Sequence, residues 1–291
     1  MQSDTHSKAI AATILAALFW SIGGLFIKIL PQDAFTILFY RSFYAAIMFV
    51  ILFRKKLFIF NKKSFISAAF YAPLLISFVA ATKLTTAANA IFLQYIAPAI
   101  VLILEPYLLR TKLTKLNILT VFASMTGMCL FFVDQFTKPD SWLGIGLAVL
   151  SGFILAGLFI SQKMNDGAYQ PGAIFLGNIL VCLCTFPWFL KNPYPTLTEN
   201  SYLMILGFVQ LGLGYAFFVY GQKYLSAVES SLIAMLEPIL NPIWVFMGYG
   251  EKPGMFALMG GAIIIGSLVY RIIKSKKPQK NVDIPMDSLA M

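Results

Sequence analysis

FVAATKLTTA at residues 78–87 and FVYGQKYLSA at residues 218–227 are two versions of one segment, and they align without a gap. Identical residues stand 140 positions apart at Phe78 and Phe218, Val79 and Val219, Lys83 and Lys223, and Ala87 and Ala227. The same offset places Pro98 on Pro238, and a shorter echo, GLFI, begins at Gly24 and again at Gly157. In a membrane-spanning chain, such an internal duplication is typical of secondary transporters, whose binding site lies where the repeats meet.

The composition is that of a membrane protein. Hydrophobic residues make up 59% of the chain, charged residues only 12%, and the mean hydropathy is +0.80. Soluble domains are about 45–50% apolar and about 25% charged. Because about 20 apolar residues cross the hydrocarbon core, the pattern predicts ten spans. They lie near residues 9–30, 34–53, 64–82, 87–109, 115–133, 141–162, 170–190, 201–222, 227–249 and 254–273.

The predicted fold is therefore an all-α integral membrane protein of ten transmembrane helices. Five spans per half is an odd number, so the second half enters the membrane inverted relative to the first. We expect a cytoplasmic N-terminus at 1–8, a first five-helix repeat at 9–133 and a second, inverted repeat at 141–273. The polar segment 274–291 is predicted to be a disordered cytoplasmic tail.

The basic residues predict the orientation. With both termini cytoplasmic, sixteen Lys and Arg residues lie on the cytoplasmic side and five on the other side, in agreement with the positive-inside rule. The sixteen are Lys8, Arg54, Lys55, Lys56, Lys62, Lys63, Arg110, Lys112, Lys115, Lys163, Lys223, Arg271, Lys274, Lys276, Lys277 and Lys280. The five are Lys28, Lys83, Lys138, Lys191 and Lys252. The net charge of +10 thus indicates contact with anionic membrane lipids in a bacterial inner membrane, and no nucleic-acid partner is expected.

Glu237 is the first candidate for the substrate site. It lies near the middle of the ninth predicted span, where a carboxylate is costly and usually faces the bundle interior. Asn241 and Trp244 follow at helical spacing, and Pro238 removes a backbone donor beside the carboxylate. This arrangement suits an amine or a cation, and Glu237 is also the candidate for proton coupling. The alternative is that protonated Glu237 only caps the broken helical turn.

Two further spans carry polar candidates. Gln94 lies in the fourth span and either binds substrate or joins two helices, while Glu105 on the same face could pair locally with Arg110. Arg41 lies within the second span, where it could bind a substrate carboxylate, extend to the interface, or pair with an acidic group.

Trp20 of the first span and Gln210 of the eighth complete the predicted substrate-binding set. Each lies on a helix face with glycines, which let a neighbouring helix or a ligand approach the backbone. An aromatic ring such as that of Trp20 could cover a planar or cationic ligand. Among the 27 Phe residues, by contrast, most are expected to face lipid.

Several chemistries are not expected. The single histidine, His6, precedes the first predicted span, and Cys182 and Cys184 point to different helix faces, so we predict no metal site and no cofactor. No phosphate-binding Gly-x-x-x-x-Gly-Lys-Ser/Thr loop occurs, and the sequence offers no Ser–His pair for nucleophilic catalysis. We therefore expect that the protein is not an enzyme.

The chain resembles the drug/metabolite transporter superfamily, specifically its ten-span EamA type. The resemblance rests on FYRSFYAAI around Arg41, YIAPAIVLILE from Tyr95, MLEPILNPIW from Met235 and the pair Gly250–Glu251. It covers about residues 9–273, although Arg110–Thr111 stand where the family usually has Gly-Glu in the first half. The resemblance implies a permease for metabolites such as amino acids, nucleotide derivatives, choline-like cations and drugs.

The sequence thus predicts a secondary active transporter of small organic metabolites that works by alternating access, with protons as a candidate coupling ion. A membrane-embedded enzyme or lipid-handling protein is the alternative, and a channel is a third. Substrate, direction of transport, and the choice between monomer and homodimer stay open.

Overall fold

The computed structural model describes residues 2–133, 141–249 and 254–274, and the regular elements in these ranges are helices. The first half contains α1 Gln2–Ser21, α2 Gly23–Ile29, α3 Ala34–Phe53, α4 Lys62–Leu84, α5 Ala87–Gln94, α6 Ala97–Leu109 and α7 Lys115–Phe131. The second contains α8 Trp142–Met164, α9 Gln170–Lys191, α10 Leu197–Met204, α11 Gly214–Tyr224, α12 Ala227–Ala234, α13 Leu236–Tyr249 and α14 Met255–Lys274. A short 3-10 helix spans Arg54–Phe58, and a π-helical segment spans Ile205–Leu213. The Gly250–Glu251 pair, Lys138, Lys252 and the tail beyond residue 274 lie outside the described residues.

Polar side chains define where several helices begin. Asp33 accepts hydrogen bonds from the backbone N–H groups of Phe35 and Thr36 at the start of α3. Asn61 forms a reciprocal capping box with Ser64 at the start of α4. Such caps satisfy backbone donors that have no partner within the helix, so they mark the helix starts between apolar stretches.

Eight of the described helical segments are long and apolar enough to cross a membrane. These segments are Asp4–Ile29, Ala34–Phe58, Lys62–Leu84, Ala87–Leu109, Trp142–Met164, Gln170–Lys191, Leu197–Tyr224 and Met255–Lys274. The fifth predicted span contains the shorter α7, and the ninth contains α12 and α13, which are separated at Met235. The protein is therefore an all-α integral membrane protein, and the count of ten spans stays a prediction.

The two halves each contain a helix that is interrupted before a proline. α5 ends at Gln94 and α6 begins at Ala97, just before Pro98. α12 ends at Ala234 and α13 begins at Leu236, just before Pro238. A proline has no backbone N–H and clashes with the preceding turn, which explains why both helices break at these sites. The two breaks lie 140 residues apart, at the offset of the internal repeat.

The helix packing brings the halves together in reciprocal pairs. α4 of the first half packs along α8 of the second, and α11 of the second half packs along α1 of the first. α3 packs against α9, and α7 packs against α14. Gly152 on α8 allows close packing at the first break, because a Cβ atom there would lie 2.9 Å from the carbonyl oxygen of Gln94. The centre of the bundle is thus formed by both halves.

Candidate functional site

A cavity lies between the two halves, next to both helix breaks. Its volume is about 30 Å³, which is enough for one or two water molecules. The polar side chains that line it come from four different segments of the chain. They are Arg41, Gln94, Tyr95, Gln210, Tyr215 and Glu237, and they are joined by aromatic and aliphatic residues that include Trp20. Five of the seven residues predicted to bind substrate therefore lie around one cavity: Trp20, Arg41, Gln94, Gln210 and Glu237.

Arg41 is held inside the bundle by α3. Its side chain is only 1% exposed, and its Nη2 donates to Oε1 of Gln210 at 2.8 Å. Within the described part of the chain, its Nε and Nη1 have no hydrogen-bond partner. The option that Arg41 extends to the membrane interface is thus wrong, because neighbouring helices enclose its side chain. Arg41 lines the cavity, and its unpaired Nε and Nη1 are donors that an anionic group could satisfy.

Gln210 connects Arg41 with the first helix. It lies in the π-helical segment, a rare geometry that often occurs at functional sites. Its Nε2 donates to the backbone oxygen of Trp20 at 3.4 Å. The Trp20 indole is 6% exposed, and its Nε1 has no partner among the described residues. Trp20 packs there because residue 214 is glycine, since a Cβ atom at Gly214 would lie 2.6 Å from the indole Nε1.

Glu237 lines the same cavity from the first turn of α13. Its Oε2 accepts a hydrogen bond from the hydroxyl of Tyr95 at 2.6 Å, and the same hydroxyl lies 2.8 Å from the carbonyl oxygen of Ala234. Tyr95 is 2% exposed and occupies the break between α5 and α6. Residues from both helix breaks therefore meet at the Glu237 carboxylate. Tyr95 was not among the residues that the sequence analysis proposed for this site.

Asn241 and Trp244 do not line the cavity. α13 carries them toward the first helix, where Nε1 of Trp244 donates to Oγ of Ser21 at 2.8 Å. Asn241 is 9% exposed, and its Oδ1 has no partner in the described ranges. Gln94, by contrast, borders the cavity, with an Oε1 that is likewise free of a described partner. All three residues lie in α13, but the part of that helix beyond Glu237 packs beside the first two helices, where Asn241 approaches Gly24 and Trp244 bonds to Ser21.

Trp20 and Tyr215, which line the cavity, belong to a cluster of packed aromatic rings. The Trp20 ring lies 4.9 Å from that of Tyr215 and 5.3 Å from that of Phe218, between ring centroids. Tyr215 in turn packs edge-on against Tyr71 at 4.8 Å. Tyr215 was not predicted as a site residue, because nothing in the sequence separates it from the many aromatic residues that face lipid.

A second polar group of residues surrounds the start of α12. Both carboxylate oxygens of Glu105 accept backbone hydrogen bonds there, from Ala227 at 3.3 Å and from Val228 at 2.7 Å. The expected local pair of Glu105 with Arg110 is therefore wrong. Arg110 ends α6 with a φ of 53°, which turns the chain away. His6, expected ahead of the first span, lies within α1, and its Nε2 is 3.3 Å from Oε1 of Glu229.

The chemistry available in the cavity follows from these groups. Arg41 supplies unpaired N–H donors among the lining residues, and Glu237 supplies a carboxylate. A small molecule with an anionic group and an amine could satisfy both groups at once. Within the described residues, no three His, Cys, Asp or Glu side chains come together in a way that could hold a metal ion.

Comparison with known proteins gives a consistent family assignment. The profile of the EamA-like transporter family matches this chain twice, at residues 7–133 and 142–272. An uncharacterized transporter from Archaeoglobus fulgidus is 22% identical over 260 residues, which cover 89% of this chain and 94% of the relative.

Two bacterial relatives and one solved structure extend the comparison. An uncharacterized transporter from Bacillus subtilis is 21% identical over 65% of this chain and 63% of its own length. One from Synechocystis is 22% identical over 78% of this chain and 69% of its own. A crystal structure, described only as that of a protein, matches with a TM-score of 0.77 and 16% identity over 94% of this chain and 99% of that chain. Likeness at that identity shows the fold alone.

Proposed function

Because this chain belongs to the EamA-like transporter family, we propose that it is a secondary active transporter of small organic metabolites. The proposed substrates are amino acids or amine-type, drug-like compounds, and the proposed mechanism is alternating access. The observation that carries this proposal is the cavity between the halves, which is lined by both Arg41 and Glu237.

The arrangement of charge favours amino acids within this range of substrates. A substrate carboxylate can accept a charge-assisted hydrogen bond from Nε or from Nη1 of Arg41, which have no partner among the described residues. A substrate ammonium can then contact Glu237, which lines the same cavity. Both protein groups are buried, so each gains more from a charged partner there than it would in water. Amine-type compounds would use the Glu237 side alone.

Alternating access is supported by the reciprocal packing of the halves. The repeat offset of 140 residues relates α4 to α11 and α1 to α8. The contact of α4 with α8 and the contact of α11 with α1 are therefore equivalent contacts in the two halves. Inverted repeats related in this way can open to either side by rocking one part against the other around a central site. A cavity of about 30 Å³ is too small for an amino acid, so the cycle requires that it expand toward one side at a time.

Proton coupling through Glu237 is the second element of the proposal. A proton and a substrate ammonium compete for the carboxylate of Glu237. Binding of either one therefore favours release of the other. This exchange is the simplest arrangement for antiport. The proposed location is the bacterial inner membrane with both termini in the cytoplasm, in accord with the sixteen-to-five distribution of basic residues.

The test is counterflow in proteoliposomes. Purified protein is reconstituted, loaded with one unlabelled compound from a panel of amino acids, polyamines, choline-like cations and nucleosides, and supplied outside with the labelled compound. A transporter accumulates label transiently and saturably, because exchange needs no net driving force. A rate that rises linearly with concentration would indicate a channel. No exchange with any compound would favour a membrane-embedded enzyme or lipid-handling protein.

A further inference from the structure

Tyr95 belongs to one helix break but contacts the other. It follows α5 and lies three residues before Pro98, and the repeat offset of 140 places it on Met235, which follows α12 and lies three residues before Pro238. The tyrosine hydroxyl reaches from the first break to Ala234 and Glu237 at the second. One side chain therefore connects the two quasi-equivalent interruptions of the bundle.

The carbonyl of Ala234 needs this contact because of Pro238. In a continuous helix, the carbonyl of residue 234 would accept from the N–H of residue 238, four positions later. Residue 238 is a proline, so that donor does not exist. The hydroxyl of Tyr95 lies 2.8 Å from this oxygen and 2.6 Å from Oε2 of Glu237. A tyrosine hydroxyl carries one proton, and so it can donate fully to only one of the two acceptors.

We infer that Tyr95 is a positioning residue that changes its acceptor with the protonation of Glu237 and thereby controls whether the Ala234 carbonyl is available to substrate. When Glu237 is protonated, its hydroxyl donates to Tyr95 and Tyr95 donates to Ala234. When Glu237 has released its proton to bulk water on the open side, Tyr95 donates to the carboxylate. The Ala234 carbonyl then lacks a protein donor. This inference rests on the proposed function and adds a residue to the same site.

The switch has a consequence for substrate binding. In the ionised state, the Glu237 carboxylate and the Ala234 carbonyl lie on either side of the same hydroxyl, and together they form a pair of acceptors for an ammonium. In the protonated state, both are engaged within the protein. Loss of the proton therefore creates the two acceptors that an amine requires, and a bound amine hinders the return of the proton. The geometry thus links release of the proton from Glu237 to the availability of the Ala234 carbonyl at the second helix break.

Other titratable or charged side chains lie near Tyr95 and Glu237, and they come from neighbouring helices. Arg41 reaches the cavity from α3, and Tyr215 reaches it from α11. Tyr71 on α4 packs against Tyr215 and directs its own hydroxyl to Asn178 at 3.3 Å. Tyr71 is fully buried, like Tyr95, but its hydroxyl bonds to a different partner. Tyr71→Phe is therefore a matched control.

The experiment is an infrared titration of the purified full-length protein, which needs no substrate. The carbonyl band of the protonated carboxyl of Glu237 is identified by its loss in Glu237→Gln and followed across pH. Tyr95→Phe should move the midpoint to higher pH by about one unit, because the ionised carboxylate loses a donor and bonds to charged groups are the stronger ones. Pro238→Ala should move it to lower pH, because the new backbone N–H satisfies Ala234 and leaves Tyr95 to the carboxylate.

Opposite shifts in Tyr95→Phe and Pro238→Ala, with a wild-type midpoint in Tyr71→Phe, would support the switch. Unchanged midpoints in Tyr95→Phe and Pro238→Ala, or shifts of both in the same direction, would overturn the inference. A spectrum in which Glu237→Gln removes no titrating band would overturn it as well. If Tyr95→Phe does not fold, Pro238→Ala alone still decides, because an unchanged or raised midpoint contradicts the inference. Failure of the proposed function would appear separately, as the absence of counterflow in proteoliposomes.

Discussion

Arg41 and Gln210 are joined by a buried hydrogen bond of 2.8 Å although 169 residues separate them in the chain. One comes from the second predicted span and the other from the eighth, so the bond links the two halves beside the cavity. Because only Nη2 of the guanidinium is engaged, the bond orients Arg41 while Nε and Nη1 stay free. We regard this fixed, partly unsatisfied guanidinium as the anion-binding part of the proposed site.

Arg41→Lys should fold but lose most exchange of a carboxylate-bearing substrate, by roughly 10- to 100-fold. A lysine ammonium cannot supply a bidentate fork and cannot bond to Gln210 and the substrate in the same geometry. Counterflow rates normalised to reconstituted protein measure the effect. Arg271→Lys is the matched control, since Arg271 is also buried but bonds to Asn117 away from the cavity. Normal exchange in Arg41→Lys would contradict the proposed carboxylate contact.

Glu237→Gln should abolish the response of uptake to an imposed pH gradient while substrate-for-substrate exchange persists. Glutamine keeps the shape of the protonated acid but does not titrate. Uptake into proteoliposomes with and without the gradient measures it, and Glu199→Gln, whose carboxylate caps α10, should respond like the wild type. If Glu237→Gln still follows the gradient, the coupling residue lies elsewhere and Glu237 only caps the break.

Gly214→Ala should destabilise the protein by about 1–3 kcal/mol and reduce exchange, because overpacking of a buried site forces neighbours to shift. The added Cβ would lie 2.6 Å from Nε1 of Trp20 and would displace the indole from the cavity wall. Thermal unfolding in detergent and counterflow are the measurements. Gly146→Ala should cause no loss in either measurement, because a Cβ atom there meets no neighbouring group within 4 Å and alanine favours a helix over glycine. Equal effects of the two substitutions would show that the Trp20 contact is unimportant.

Glu105→Ala should lower stability by about 1.5–3 kcal/mol, the usual value of hydrogen bonds to a charged group. Its carboxylate accepts from the N–H groups of Ala227 and Val228 at the start of α12. Glu105→Gln keeps one acceptor oxygen, so thermal unfolding should rank wild type above Gln and Gln above Ala. An Ala variant as stable as the wild type would mean that the cap contributes nothing.

The proposed orientation predicts which surface residues react with an impermeant thiol reagent in intact cells. In a background without Cys129, Cys182 and Cys184, a cysteine at Lys191 should be labelled and one at Lys56 should be protected. Both positions are exposed, so burial does not explain a difference. Cell lysis should expose both, which controls for reactivity. Labelling at Lys56 from outside would reverse the orientation.

The residues that line the cavity divide between those that sequence patterns could identify and those that they could not. Glu237, Arg41, Gln94 and Gln210, which line the cavity, stood out in the sequence because polar side chains are rare and costly in apolar spans. Tyr95 and Tyr215 did not, since tyrosine is common in such spans. For Tyr95 a signal did exist: the repeat offset sets it opposite Met235 at the second helix break. Asn241 and Trp244 share α13 with Glu237, as the helical spacing predicts, but they lie outside the cavity lining, and their part in substrate binding stays a prediction.

The sequence by itself determined the membrane class, the duplicated organisation and the family, because hydropathy, charge bias and internal repetition are properties of the linear chain and need no contacts. The match to the EamA-like transporter family confirms that resemblance. Only the tertiary structure decided the partners of the buried polar groups. Glu105 was expected to bond to Arg110, five residues away, but bonds to the backbone of Val228, 123 residues away. Local spacing shows which side chains share a helix face, whereas the packing of helices from the two halves determines which faces meet.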